Sequence, residues 1–232
     1  MVKPLGISPA FPDPSEADEN GLLAYGGDLN PDRLLTAYSK GIFPWPHGDE
    51  YPLLWFSPDP RTILIPKNLH IGASIRKVMK RHSFEIRFDT AFESVILACA
   101  VMKRKDSGGT WITQEMMDAY ARLHHLGFAH SAEAWQDDQL VGGLYGVSLG
   151  AAFFGESMFS QCDNASKVAL ITLLQQLNQW DFHFFDCQMP SSLVTRLGAV
   201  DWKREYFLAS LKKSLQVQTR QGKWQKEPLM KS

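Results

Sequence analysis

Apolar positions change period along the second half of the chain. Two runs, Ala129 to Gln136 and Gln139 to Val147, flank the dipeptide Asp137-Asp138. Runs of that length around a two-residue turn predict a β-hairpin. Ala151 to Glu156 reads as a further strand. Asn164 to Trp180 then carries apolar residues at helical spacing, and His183 to Gln188 returns to a strand-like run. Strand, helix, strand predicts a right-handed crossover between parallel strands. Chemistry in such units gathers where the strands end, which places Glu156, Asp186 and Gln188 at one edge of one sheet.

Upstream, Asn30-Pro31 ahead of Leu34, Leu35 and Tyr38 predicts a capped helix stopped by Gly41. Gly41 to Pro46 and Trp55 to Arg61 read as aromatic loops stiffened by prolines, and Thr62 to Pro66 as a short strand. Helices are predicted over Ile71–His82, Ala91 to about Lys103, Gln114–Leu126 with Thr113 as its cap, and Leu193–Leu197. Arg204 to Leu215 is helical or strand-like, and the tail from Gln216 is irregular. The expected organisation is a small N-terminal domain over 1–61 and a larger domain over 62–232. Helices, a meander, a helix and a parallel strand suit an α+β domain with one mixed sheet. It is the element order of the N-acetyltransferase-like (GNAT) fold, in which donor and acceptor meet at a splay in the sheet.

Charge modifies this picture locally. The net charge is −1, yet Lys67 to Lys105 holds nine bases against three acids, and Lys203 onward holds eight against two. Such tracts are either solvated helix faces or a patch for a polyanion. Arg76, Lys77, Lys80 and Arg81 share one predicted helix with the apolar stripe Ile75, Val78 and Met79. No apolar run approaches the roughly 20 residues that span a bilayer, and the start Met1-Val2-Lys3-Pro4 lacks the layout of a secretion signal. Cys99, Cys162 and Cys187 have no paired spacing and read as reduced thiols of a cytoplasmic protein. His124, His125 and His130 do not repeat at a ligand spacing, so no metal is expected.

Strand alternation puts Asp186 and Gln188 on one face, roughly 6.5 Å apart at Cα. Cys187 then points the opposite way, into the core. Glu156 is either a solvated strand end or a site acid. A carboxylate to hold an ammonium and an oxygen to take its proton suit an amine acceptor attacking an ester. Trp45, Trp111 and Tyr38 are either core or rings for stacking on a nucleobase. Phe153, Met158 and Phe159 are either core or the lining of an apolar pocket. Asn164 is expected to cap the long helix.

Several stretches together resemble one family. They are Asn20 to Leu29, Gly41 to Trp45, Trp55 to Arg61, Gly109 to Thr113, Ala119-Tyr120, Leu140 to Val147, Gly155 to Ser160, Asn164 to Lys167 and Asp186-Cys187-Gln188. In these the chain resembles the bacterial leucyl/phenylalanyl-tRNA–protein transferases, over about residues 11 to 210. The resemblance implies transfer of Leu or Phe, and Met less well, from aminoacyl-tRNA to the N-terminal Arg or Lys of a protein, which is then degraded by the N-end rule pathway. It implies a catalytic relay at Asp186 and Gln188, in which the carboxylate polarises the amide, with Glu156 holding the acceptor or assisting. Trp45, Trp111, Tyr38 and Tyr120 fall among substrate-binding positions, Phe153 and Met158 at the side-chain pocket, and the basic helix Arg76–Arg81 at the tRNA. A cytoplasmic monomer without cofactor, metal, membrane or DNA partner is implied. Tyr25, Phe56 and the loop Met189 to Arg196 depart from the family's pattern.

Two rival functions are weighed. A coenzyme A acetyltransferase needs a Gly-rich phosphate loop, and Ser160 to Ser166 contains no glycine. A non-enzymatic RNA-binding protein needs the basic tracts and aromatics but not the acid–amide set.

Overall fold

The computed structural model describes residues 2–46, 51–102 and 112–228. In chain order its elements are β1 (Lys3–Leu5), β2 (Leu22–Gly26), α1 (Pro31–Ser39), β3 (Phe43–Pro44), β4 (Leu54–Phe56) and β5 (Arg61–Leu64). Then come α2 (Ala73–Lys80), β6 (Glu85–Phe88), α3 (Phe92–Val101), α4 (Gln114–His125), β7 (Ala129–Gln136), β8 (Gln139–Leu149) and β9 (Ala152–Ser160). The chain continues with α5 (Ala165–Gln179), β10 (Phe184–Gln188), α6 (Ser192–Arg196), β11 (Val200–Trp202) and α7 (Arg204–Ser214).

The predicted hairpin is β7–β8, turned by Asp137 and Asp138, both at positive φ. That conformation matches the right-handed twist of the strands, and Asp tolerates it. The predicted crossover is β9–α5–β10, with its strands parallel. A seven-stranded mixed sheet results, in the order β11-β5-β10-β9-β8-β7-β6. A second sheet of four strands, β1-β2-β4-β3, forms from the N-terminal residues. It replaces the two loops expected there. Its strands are two to five residues long and proline-interrupted, too short for a period of two to register.

Both faces of the large sheet are covered. One core joins Phe154, Tyr145 and Phe159 of the sheet to α1, α3, α4, α7 and the small sheet's Leu23 and Trp55. The other joins Phe153, Phe185 and Leu144 to α5, with Ile75, Val78 and Met79 of α2 against it. Parallel pairing between two such strands buries them on both sides, which explains why the runs around Phe154 and Phe185 are nearly all apolar. Asn164, expected to cap α5, sits instead in the left-handed region and makes no side-chain cap. The Ser160 hydroxyl accepts the Ser166 N–H at 3.2 Å in its place. Among the described residues no helix is long and apolar enough to cross a membrane.

The tail beyond Ser214 has no helix or strand, as expected, yet it is not loose packing. Trp224 stacks on His130 at 3.7 Å between ring centres and meets Phe153, Trp180 and Phe182 at 5.0–5.9 Å. Its backbone N–H donates to Asp89 at 2.7 Å. Replacing a buried Trp leaves a large cavity, so Trp224→Ala is expected to cost about 3–5 kcal/mol in urea denaturation. A loss below about 1 kcal/mol contradicts this packing role for the tail.

Candidate active site

The parallel ladder between β9 and β10 ends at the pair Asp186–Phe154, although β9 runs on to Ser160 and β10 to Gln188. Both strands change register beyond that point. On β9, Gly155 faces Gly146 and Ser157 faces Tyr145, so Glu156 is an extra residue. On β10, Asp186 faces Ile63 and Gln188 faces Thr62, so Cys187 is extra. Bulges re-aim side chains and end pairing. The strands part here, and a cavity of about 320 Å³ opens between them.

The cavity's lining includes Leu144, Met158, Leu170, Phe185 and Val194 on the α5 side, and Phe43, Pro44 and Trp45 from the small sheet. Glu156, Gln188 and the loop Met189-Pro190-Ser191 complete it. The floor needs glycine at 155, because a Cβ there would sit 2.5 Å from the Phe185 ring.

Glu156 is the hub of the polar contacts. Tyr38 Oη donates to Oε1 at 2.7 Å, Tyr120 Oη lies 3.0 Å from Oε2, and Gln188 Nε2 donates to Oε1 at 2.9 Å. The hydroxyls of Tyr38 and Tyr120 are also in contact with each other. The two phenols and the carboxyl thus close a ring of three oxygen–oxygen approaches, while the phenols bring only two hydrogens. All three approaches are hydrogen-bonded at once only when Glu156 is a carboxylic acid that donates to one phenol, with that phenol then donating to the other and the other to Glu156. Burial points the same way: it pushes the Glu156 carboxyl up to about 7, against the hydrogen bonds from Tyr38 and Tyr120 and with help from the Asp186 charge.

Asp186 is differently placed. It has no exposed surface and does not line the cavity. Both its oxygens are gripped by Arg61, through Nε at 2.9 and 3.1 Å and Nη2 at 2.7 Å. It also accepts the backbone N–H of Gln188 at 2.8 Å. The carboxylate touching the Gln188 side-chain amide is therefore Glu156, not Asp186. This corrects the expected relay. The two side chains do not share a face as simple alternation predicts, because the bulge at Cys187 and the left-handed Gln188 (φ +62°) turn Gln188 toward β9.

Other expected residues divide in the same way. Met158 and Trp45 line the cavity. Tyr38 and Tyr120 have no exposed surface, and their hydroxyls contact Glu156 from beneath the cavity. Phe153 is also fully buried, stacked 5.3 Å behind Phe185, which takes the place at the cavity expected of Phe153. Cys187 faces the α5 side as expected, yet it lines the cavity. Burial pushes its thiol well up, away from nucleophilic form. Trp111 lies outside the described residues. Arg76, Lys77, Lys80 and Arg81 are exposed on and just after α2, away from the cavity lining. Sequence reasoning missed Arg61. A signal was available: Arg61 opens one apolar strand and Asp186 interrupts another, and charges in such runs are almost never buried unpaired.

The Glu156 environment has a consequence for folding. Its carboxyl rises from 4.5 to about 7, so the folded chain keeps a proton that the unfolded chain releases. Stability then falls as pH rises from about 4.5 to 7 and levels above that. Glu156→Gln carries no such proton. Its stability relative to the unsubstituted chain is expected to improve by roughly 1–2 kcal/mol between pH 5 and 8, less than full linkage because the carboxyl faces the cavity. Urea denaturation at both pH values measures this, and an unchanged difference refutes it.

Residues 63–212 match the model of the family described as leucyl/phenylalanyl-tRNA protein transferase, and residues 27–59 match that family's N-terminal domain. The leucyl/phenylalanyl-tRNA–protein transferase of Myxococcus xanthus (strain DK1622) is 53% identical over 214 residues, covering 92% of this chain and 91% of the relative. That of Anaeromyxobacter sp. (strain Fw109-5) is 52% identical, covering 93% and 91%. That of Desulfatibacillum aliphaticivorans is 51% identical, covering 94% and 93%. Among solved structures, a functionally unknown conserved protein from Staphylococcus epidermidis ATCC 12228 has a TM-score of 0.44 at 8% identity, covering 78% of this chain and 68% of that one. With both segments matched in order and half of all positions shared along nearly the whole length, the chain belongs to the leucyl/phenylalanyl-tRNA protein transferase family.

Proposed function

We propose that this protein transfers Leu or Phe, and Met less well, from aminoacyl-tRNA to the N-terminal Arg or Lys of a protein, marking it for degradation by the N-end rule pathway in the cytoplasm. The reading includes a GNAT-like domain over 62–232 preceded by a small N-terminal domain over 1–61, acting as a monomer. Family membership supports it. The single observation that carries it is the Glu156–Gln188 pair at 2.9 Å on the wall of an apolar cavity.

The chemistry follows from that pair. The substrate ester is already activated, so the reaction needs a positioned amine and a place for its proton, not a cofactor. The amine nitrogen attacks the ester carbonyl, the C–N bond forms, and the C–O bond to the terminal ribose breaks. The ribose oxygen leaves as a hydroxyl. Gln188 Nε2 is engaged by Glu156, which leaves its Oε1 to receive the amine. Glu156, titrating near 7, suits both release and uptake of a proton at neutral pH. The donor side chain enters among Leu144, Met158, Leu170, Phe185 and Val194. Flexible Met158 lets one cavity accept Leu, Phe and Met. Trp45, half-buried and edge-on to Phe56 at 5.6 Å, offers a ring at the mouth for the terminal adenine.

Helix α2 is the surface proposed for the RNA. Its apolar stripe packs on the core while Arg76, Lys77, Lys80 and Arg81 face solvent. Among the described residues none of these four bases has a carboxylate within ion-pair distance.

The deciding assay combines Leu- or Phe-charged tRNA with a peptide beginning with Arg or Lys. Labelled peptide is expected, and disappears in Glu156→Ala and Gln188→Ala. Turnover of acetyl-coenzyme A with no labelled peptide overturns the reading. Neutralising Arg76, Lys77, Lys80 and Arg81 is expected to flatten the salt dependence of tRNA binding, by about 0.7–0.9 in the log–log slope for each phosphate that no longer meets a base. An unchanged slope removes α2 from the interface.

A further inference from the structure

Arg61 is a charged side chain with no exposed surface and no place on the cavity wall. Besides its grip on Asp186 it donates to the Gly41 carbonyl at 3.2 Å. Its guanidinium is held between the rings of Phe43 and Phe207, at 4.7 and 4.8 Å. Phe43 itself lines the cavity. Burying such a pair is costly unless its geometry is near ideal. Here the fork-on-carboxylate geometry is met on both oxygens.

The pair has one further partner. Asp186 Oδ1 accepts the backbone N–H of Gln188 at 2.8 Å, across a single intervening residue. Gln188 stands at φ +62°, a conformation that is unfavourable for a side-chain-bearing residue. Such a turn persists only where its surroundings impose it. The same turn directs the Gln188 side chain across the gap to Glu156. A continuous chain of contacts therefore runs from a rigid buried ion pair, through one backbone N–H, to the amide at the reacting centre.

We propose that Arg61 is a positioning residue for aminoacyl transfer, and that Asp186 works with it by fixing the backbone of Gln188 instead of meeting substrate. This rests on the transfer reading above for its chemistry. Arg61→Lys keeps the charge but replaces a two-point fork with a single nitrogen. Asp186→Asn keeps the shape and weakens the grip. Each is expected to lower kcat about 100-fold, the order of loss for a group misplaced by about 1 Å, while KM for charged tRNA stays within about twofold. The double variant is expected to be no slower than the worse single variant, since the two side chains act as one unit. The pH-dependent limb should persist in Asp186→Asn, with its midpoint moved to lower pH because the Asp186 charge no longer helps raise the Glu156 carboxyl, and vanish in the residual activity of Glu156→Gln.

Three kinetic results overturn the proposal. One is a cooperatively folding Arg61→Lys with full kcat. Another is a rise in KM with kcat unchanged. The third is loss of the pH-dependent limb in Asp186→Asn but not in Glu156→Gln. Hydrogen exchange of the Gln188 backbone N–H in the unsubstituted protein decides the matter even if neither variant folds. Exchange slowed by about 100-fold or more relative to an open chain supports the grip, and exchange at the open-chain rate refutes it. If the unsubstituted protein forms no labelled peptide, the transfer reading fails, while the exchange measurement still tests the positioning of Gln188.

Discussion

Two neighbouring parallel strands that stop pairing before they end leave backbone and side chains without the partners a sheet supplies. Everything at the site follows from how β9 and β10 resolve that. Past Asp186 and Phe154 each strand takes up one extra residue, and the two separate. The gap is apolar on the α5 side, where Phe185 and Met158 continue the core, and polar where Glu156 and Gln188 meet. A cavity with a greasy floor and one acid–amide contact thus starts from the interrupted ladder, and the loop Met189-Pro190-Ser191 and the small sheet's Phe43, Pro44 and Trp45 complete its wall.

The same interruption sets the electrostatics. Two carboxyl groups lie at the strand ends, and they are sorted by partner. Asp186 is compensated by Arg61 in a dry environment. Among the described residues Glu156 has only neutral hydrogen-bond partners, the two phenols and an amide, so burial raises it and the nearby Asp186 charge adds to the effect. Two carboxylates a short distance apart are pushed toward different protonation behaviour by their environments, the usual way one site obtains both a fixed charge and a mobile proton.

Long periodic segments are legible in the sequence. The hairpin at Asp137-Asp138, the helix α5 and the strand β10 follow from spacing and turn residues that no tertiary contact overrides. Glu156 and Gln188 can be singled out because the apolar runs before them end there, whereas Met158 and Trp45, which could equally be core, are singled out by the family resemblance. Anything that depends on register is illegible. A bulge adds one residue to a strand and leaves no trace in residue type, so alternation puts Asp186 and Gln188 side by side when the chain turns between them. Tyr38 and Tyr120 read as ligand contacts because an aromatic with a polar tip looks the same whether that tip meets solvent or a buried acid. The small sheet is invisible because strands as short as Phe43–Pro44 exist only through β4.

The aromatic column behind the cavity sets where variation can enter. Trp224 touches Phe153, Phe153 stacks on Phe185, and only Phe185 reaches the cavity. Close-packed interiors transmit changes of volume. A wall backed this way can be moved from two layers away, at positions that meet neither tRNA nor peptide and lie apart from the proton ring. Under the proposed transfer, selectivity for the transferred side chain is therefore separable from chemistry: the acid–amide pair can stay fixed while the depth of the cavity drifts through residues that an inspection of the site alone would pass over.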